Sequence, residues 1–102
     1  MSFYHIIGDA DTVLGYRFAG LSGDVVTSQP EALAAFQKAI AGKEPGVLLI
    51  TEAVEDWIPE AVQAHRLTAE PPYLAVIQDI WGARPHRKSL QDMIREAVGI
   101  KI

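Results

Sequence analysis

Cysteine is absent from this chain. That excludes disulfides and thiolate metal sites. No apolar run reaches the ~18 residues that a membrane-spanning helix needs. The N-terminal residues lack the basic stretch and long apolar core of a secretion signal. Basic residues are in deficit, 9 against 13 acidic ones, for a formal charge of −4. That balance argues against general nucleic-acid binding. The glycine patterns G-x-x-x-x-G-K-[ST] and G-x-G-x-x-G are missing, so no backbone loop is built to cradle a phosphate. The nucleophile elbow G-x-S-x-G is missing as well. These absences predict a soluble cytoplasmic protein with no direct membrane insertion, which reaches a membrane only through a partner.

What is present fits one domain. The chain has 102 residues, 49% of them hydrophobic, enough for a core of its own. Its charge is unevenly spread. Residues 1–79 carry 11 acids and 4 bases, a net of −7, whereas residues 80–102 carry 2 acids and 5 bases, a net of +3. A partner reading the C-terminal part meets a basic surface on an otherwise acidic body.

Strand and helix signals alternate along the chain. Phe3–Ile7 reads as a first strand. Thr12–Ala19 reads as a helix with Asp11 as N-cap and Gly20 at its end. Gly15 inside that helix costs roughly 1 kcal/mol against alanine, which suggests close packing there. Val25–Thr27 is a short second strand. Ser28 and Glu31 have capping-box spacing before a helix whose Leu33, Phe36 and Ile40 share a face and which Gly42 stops. Val47-Leu48-Leu49-Ile50 is a continuous apolar run, as in a strand buried on both faces. Thr51 caps a third helix, where Val54, Trp57/Ile58, Ala61/Val62 and His65 recur at helical spacing. Pro59 falls inside it and predicts a kink or two short helices in series.

Glu70-Pro71-Pro72 is a rigid connector into a fourth strand, Tyr73–Ile80, with Leu74, Val76 and Ile80 on one face. Residues 81–88 form a basic loop. Ser89 opens a last helix that Gly99 closes, leaving the tail Ile100-Lys101-Ile102. Strict alternation implies parallel pairing through right-handed crossovers. The expected fold is α/β: a small three-layer open sheet of four parallel strands, ordered 2-1-3-4, alternating with helices, plus a C-terminal helix. Residues 1–88 form the Rossmann-like or receiver-like body and residues 89–102 a C-terminal helix and tail.

Four constellations bear on chemistry. Asp9 and Asp11 sit at the carboxyl end of the first strand. They suit magnesium in a receiver-like phospho-signalling domain, or they cap the first helix and complement its dipole. A receiver also needs an aspartate after the third strand, where this chain has Thr51-Glu52, and a fifth strand and helix with a lysine, for which it is too short. His5, His65 and His86 have no second ligand at metal spacing. Ser28 and Ser89 read as helix caps. Arg84, His86, Arg87 and Lys88 form either an anion- or partner-binding cluster or a solvated loop. The sequence therefore predicts no catalytic residue, no metal site and no cofactor.

The last helix is the anomaly. Leu90, Met93/Ile94 and Ala97/Val98 fall on one face, and Ile100 and Ile102 extend the apolar content. An isolated helix of roughly ten residues is marginal in water. Burying each large aliphatic side chain gives roughly 1.5–3 kcal/mol. The stripe must be covered, either by this domain's own sheet or by another protein.

Four segments in order resemble the F subunit of the vacuolar-type and archaeal-type rotary ATPases/ATP synthases, in its bacterial or archaeal form. They are GDADTVLGYRFAG (Gly8–Gly20), VLLITEAV (Val47–Val54), Pro72 to Ile77, and SLQDMIREAVGIKI (Ser89–Ile102). The resemblance covers essentially the whole chain. It implies a non-catalytic central-stalk (rotor) component that binds the coiled-coil D subunit, lies near the ring-coupling subunit (C/d), and links the A/B catalytic hexamer to proton or sodium translocation. In that family the C-terminal segment runs along the coiled coil. Carried over, the contact falls on Leu90, Met93, Ile94, Ala97, Val98, Ile100 and Ile102, with Arg84, Arg87 and Lys88 as a secondary contact. The short connection Gly20–Asp24 and the strong basic segment Arg84–Lys88 depart from the pattern.

Overall fold

Three apolar strands and one short polar one, Ser22–Val25, alternate with helices along the chain. The computed structural model describes residues 3–42 and 45–78. Within them run β1 (Tyr4–Gly8), α1 (Ala10–Phe18), β2 (Ser22–Val25), α2 (Gln29–Gly42), β3 (Val47–Thr51), α3 (Glu52–Trp57), α4 (Pro59–Arg66) and β4 (Tyr73–Ile77). The strands make one sheet in the order β2-β1-β3-β4, and every pair is parallel. This is the α/β architecture expected from the alternation. The expected C-terminal helix lies outside the described residues.

The sheet's two faces are unequally covered. Ile7, Leu48 and Ile50 point to one side and pack with Phe36 of α2, Val54 of α3, and Ile58 and Val62 at and after the helix break. Ile7, Leu48 and Ile50 are all 0% exposed. Leu74 and Val76 lie against the same cluster, as the period-two reading of β4 requires. Ile6 faces the other way, toward Val13 of α1, with Gly23 of β2 between them. A Cβ on Gly23 would come within 2.6 Å of Ile6 Cγ2 and 2.7 Å of Val13 Cγ1. That close approach explains a glycine inside a strand. On this side Val47 and Leu49 of β3 are only half-buried, so β3 is less enclosed than its unbroken apolar run suggests.

The helix ends obey local chemistry. Gly20 has φ +95°. Its N–H donates to Arg17 O, and Leu21 N–H donates to Tyr16 O. This pair of bonds is the Schellman closure that left-handed glycine permits. The Thr51 hydroxyl accepts from Val54 N–H at 3.3 Å, the expected cap of α3. Pro59 does split the third helix. Ile58 at φ −133°, ψ 52° separates α3 from α4, with Pro59 in the first turn of α4. Gln29 Nε2 donates to Trp57 O across this break, and Arg66 pairs with Glu55 at 3.1 Å.

Several boundaries differ from the sequence reading. The second strand is Ser22–Val25, not Val25–Thr27, because pairing with β1 outweighs the strand propensity of Val26 and Thr27. The N-cap of α1 is Asp9, not Asp11. β4 ends at Ile77, and Ile80 lies outside the described residues. Ser28 Oγ accepts from Glu31 N–H at 3.4 Å, the forward half of the expected capping box, while the Glu31 carboxylate accepts from Thr27 N–H and Thr27 Oγ1 instead of Ser28 N–H. Gly15 is not closely packed. It is exposed, and no described atom lies within 4 Å of a Cβ placed there. Close approach occurs instead at strand-end and strand glycines, Gly8 against Thr51 and Gly23 against Ile6 and Val13.

Candidate functional site

The carboxyl end of β1 carries the acidic turn. Asp9 follows the strand and caps α1. Its Oδ2 accepts from Thr12 N–H at 3.1 Å, and its Oδ1 accepts from the Thr12 hydroxyl at 2.6 Å. Asp11 lies exposed in the first helical turn, where a negative charge favours the helix dipole. The matching end of β3 presents Thr51, buried and engaged as a cap. Both carboxylates of the turn therefore have helix-starting work. Asp9→Ala is expected to destabilise the fold by about 1 kcal/mol, the usual cost of a lost N-cap. Urea unfolding checks it, and Asp9→Asn should recover most of the loss.

A second cluster lies at the opposite end of β1. His5 is registered directly against Ser22 of β2. Ser22 and Asp24, two apart on a strand, share a face. His5 Nδ1 lies 2.6 Å from Ser22 Oγ, and Nε2 lies 3.0 Å from Asp24 Oδ2. Beside the trio opens a cavity of about 320 Å³, also lined by Lys38, Ala39, Gly42 and Pro45. Sequence reasoning missed this grouping. Its members are separated along the chain, and placing the second strand at Val25–Thr27 put Ser22 and Asp24 in a connection. The signal that does find it is their period-two spacing opposite a strand histidine.

His65 takes the structural role expected for it. Its Nε2 is 2.8 Å from Pro72 O, and its ring meets Phe36 edge-on with centroids 6.3 Å apart. Among the described residues, no group of three or more His, Cys, Asp or Glu side chains converges as a metal site. No helix among them is long and apolar enough to cross a membrane. The sequence-predicted contact residues Leu90, Met93, Ile94, Ala97, Val98, Ile100 and Ile102 lie outside the described residues, as do Arg84, His86, Arg87 and Lys88.

Comparison with known proteins then decides the family. A family model described as ATP synthase (F/14-kDa) subunit matches residues 5–98. The chain belongs to that family. As a member of the F/14-kDa family it is 29% identical over 102 residues to the A-type ATP synthase F subunit of Thermococcus sibiricus, with 95% of this chain and 94% of the relative covered. It is 30% identical over 100 residues to the A-type ATP synthase F subunit of Methanococcus vannielii, with 95% of each chain covered. The fold is similar to the crystal structure of the V-type ATP synthase F subunit from Archaeoglobus fulgidus, with a TM-score of 0.65 at 21% identity, covering 72% of this chain and 94% of that one. The F/14-kDa match runs past the described body to residue 98, across most of the predicted terminal helix.

Proposed function

We propose that this chain is a non-catalytic central-stalk subunit of an A- or V-type ATPase/ATP synthase, peripheral to the membrane on its cytoplasmic side. It binds the coiled-coil D subunit, neighbours the ring-coupling subunit (C/d), and helps couple ATP hydrolysis or synthesis in the A/B hexamer to proton or sodium translocation. The observation that carries this reading is the family match over residues 5–98, backed by relatives named as F subunits of A-type ATP synthases. Residues 1–88 supply a rigid bearing body. Residues 89–102 supply the anchor, with Leu90, Met93, Ile94, Ala97, Val98, Ile100 and Ile102 against the coiled coil and Arg84, Arg87 and Lys88 beside them. An amphipathic helix laid on an apolar groove is a recognition mode suited to this stripe.

The test is a pull-down with the cognate coiled-coil subunit, using the full chain and a chain lacking residues 89–102. The full chain binds and the shortened one does not. Equal capture of both removes the C-terminal anchor. Failure of the full chain to bind overturns the stalk reading itself.

A further inference from the structure

We infer that Ser22 is an activated nucleophile, able to take an acyl group from an activated ester at the cavity beside α2. A serine hydroxyl needs a base in contact and a group that orients the base. Both are present. An ionised carboxylate can only accept hydrogen bonds, so the 3.0 Å contact makes His5 Nε2 the protonated nitrogen and Asp24 its acceptor. In the neutral ring Nδ1 is then left with its lone pair. That lone pair faces Ser22 Oγ at 2.6 Å, so the hydroxyl donates to it. Asp24 thus selects the tautomer that can remove the serine proton. It acts as a positioning residue, and His5 acts as the base.

The surroundings admit a ligand. The His5 side chain is 18% exposed and that of Asp24 41% exposed. The adjoining cavity of about 320 Å³ has an apolar wall of Ala39, Gly42 and Pro45, in the size range of small-molecule sites. Lys38 lines the same cavity and brings a cation to it. In the step, Ser22 Oγ forms a bond to the carbonyl carbon of the ester and its proton passes to His5 Nδ1. The carbon–oxygen bond to the leaving group then breaks, His5 Nδ1–H returns the proton to the departing oxygen, and the alcohol or phenol leaves, with acyl-Ser22 and neutral His5 behind.

The experiment incubates the purified full chain with p-nitrophenyl acetate and follows acetylation by peptide mass spectrometry and phenolate release. The expected result is acetylation centred on Ser22 and abolished in Ser22→Ala. His5→Gln slows it by about 100-fold, as loss of a positioned base does. Asp24→Asn slows the reaction, and Asp24→Glu restores part of it. Circular dichroism screens each variant for folding, and if His5→Gln does not fold, the half-exposed Asp24→Asn carries the comparison. Absence of a Ser22 adduct overturns the assignment, as does labelling spread over lysines or a Ser22 rate unchanged in the folded Asp24 and His5 variants. None of these outcomes depends on whether the coiled-coil partner binds.

Discussion

Replacing Ile50 by alanine is expected to lower the unfolding free energy by about 2–5 kcal/mol, the range for deleting a buried aliphatic side chain from a packed core. Ile50 is 0% exposed. It lies on β3, an interior strand of the sheet, on the face where Phe36, Val54, Ile58 and Val62 converge. Helices from the crossovers before and after β3 press on that point, so the space left by three missing carbons cannot collapse without moving more than one element. A small domain has only about 5–15 kcal/mol in total, so this one change removes a large share. Phe18→Ala is the control. Phe18 is the larger side chain, but it is 85% exposed, and its removal should stay within about 0.5 kcal/mol of wild type. Urea unfolding of both variants makes the comparison. Near-equal midpoints would mean that the described cluster is not the core.

The second large effect concerns binding. Ile94→Asp is expected to weaken association with the coiled-coil subunit by at least about 100-fold. Loss of a buried isoleucine costs roughly 1.5–3 kcal/mol, and seating a carboxylate in its place adds a desolvation cost. Since about 1.4 kcal/mol is tenfold, about 3 kcal/mol already reaches that factor. Glu96→Ala, which helical spacing places away from the stripe, should change affinity little. Isothermal titration calorimetry with the purified coiled coil measures both, and the midpoint of urea unfolding shows whether the body is intact. Wild-type affinity for Ile94→Asp would show that Leu90, Met93, Ile94, Ala97 and Val98 are covered elsewhere.

The parts of this fold that are legible from residues alone share a property: each depends on neighbours in the chain. Thr51 caps α3 through a residue three positions on. Pro59 breaks a helix wherever the helix lies. The alternation of strands and helices determines parallel pairing, because short turns cannot return a strand in the same direction. The parts that sequence patterns misplace depend on contacts across the sheet. Val25–Thr27 has better strand formers than Ser22-Gly23-Asp24-Val25, yet the latter pairs with β1, because only Gly23 fits where Ile6 and Val13 meet. Asp9 and Asp11 are both good caps by type, and the backbone turn after Gly8 selects the first. The His5–Ser22–Asp24 grouping is invisible until that register is known. The proposed anchor is different again. Its stripe is legible from spacing, but the proposed cover is another molecule, which no local pattern of this chain can describe.

β2 is a border strand, and Arg17 reaches from α1 to donate to Gly23 O at 2.9 Å. Val26 N–H bonds Gly8 O on the β1 side, so strand alternation turns the Gly23 carbonyl outward. The guanidinium thus occupies an acceptor that the backbone of a second copy would otherwise claim. Exposed borders of this kind recruit their own duplicates into extended ribbons and fibres unless something charged stands in the way. A single arginine, held by the helix beside it, takes one of the acceptors through which such growth would run.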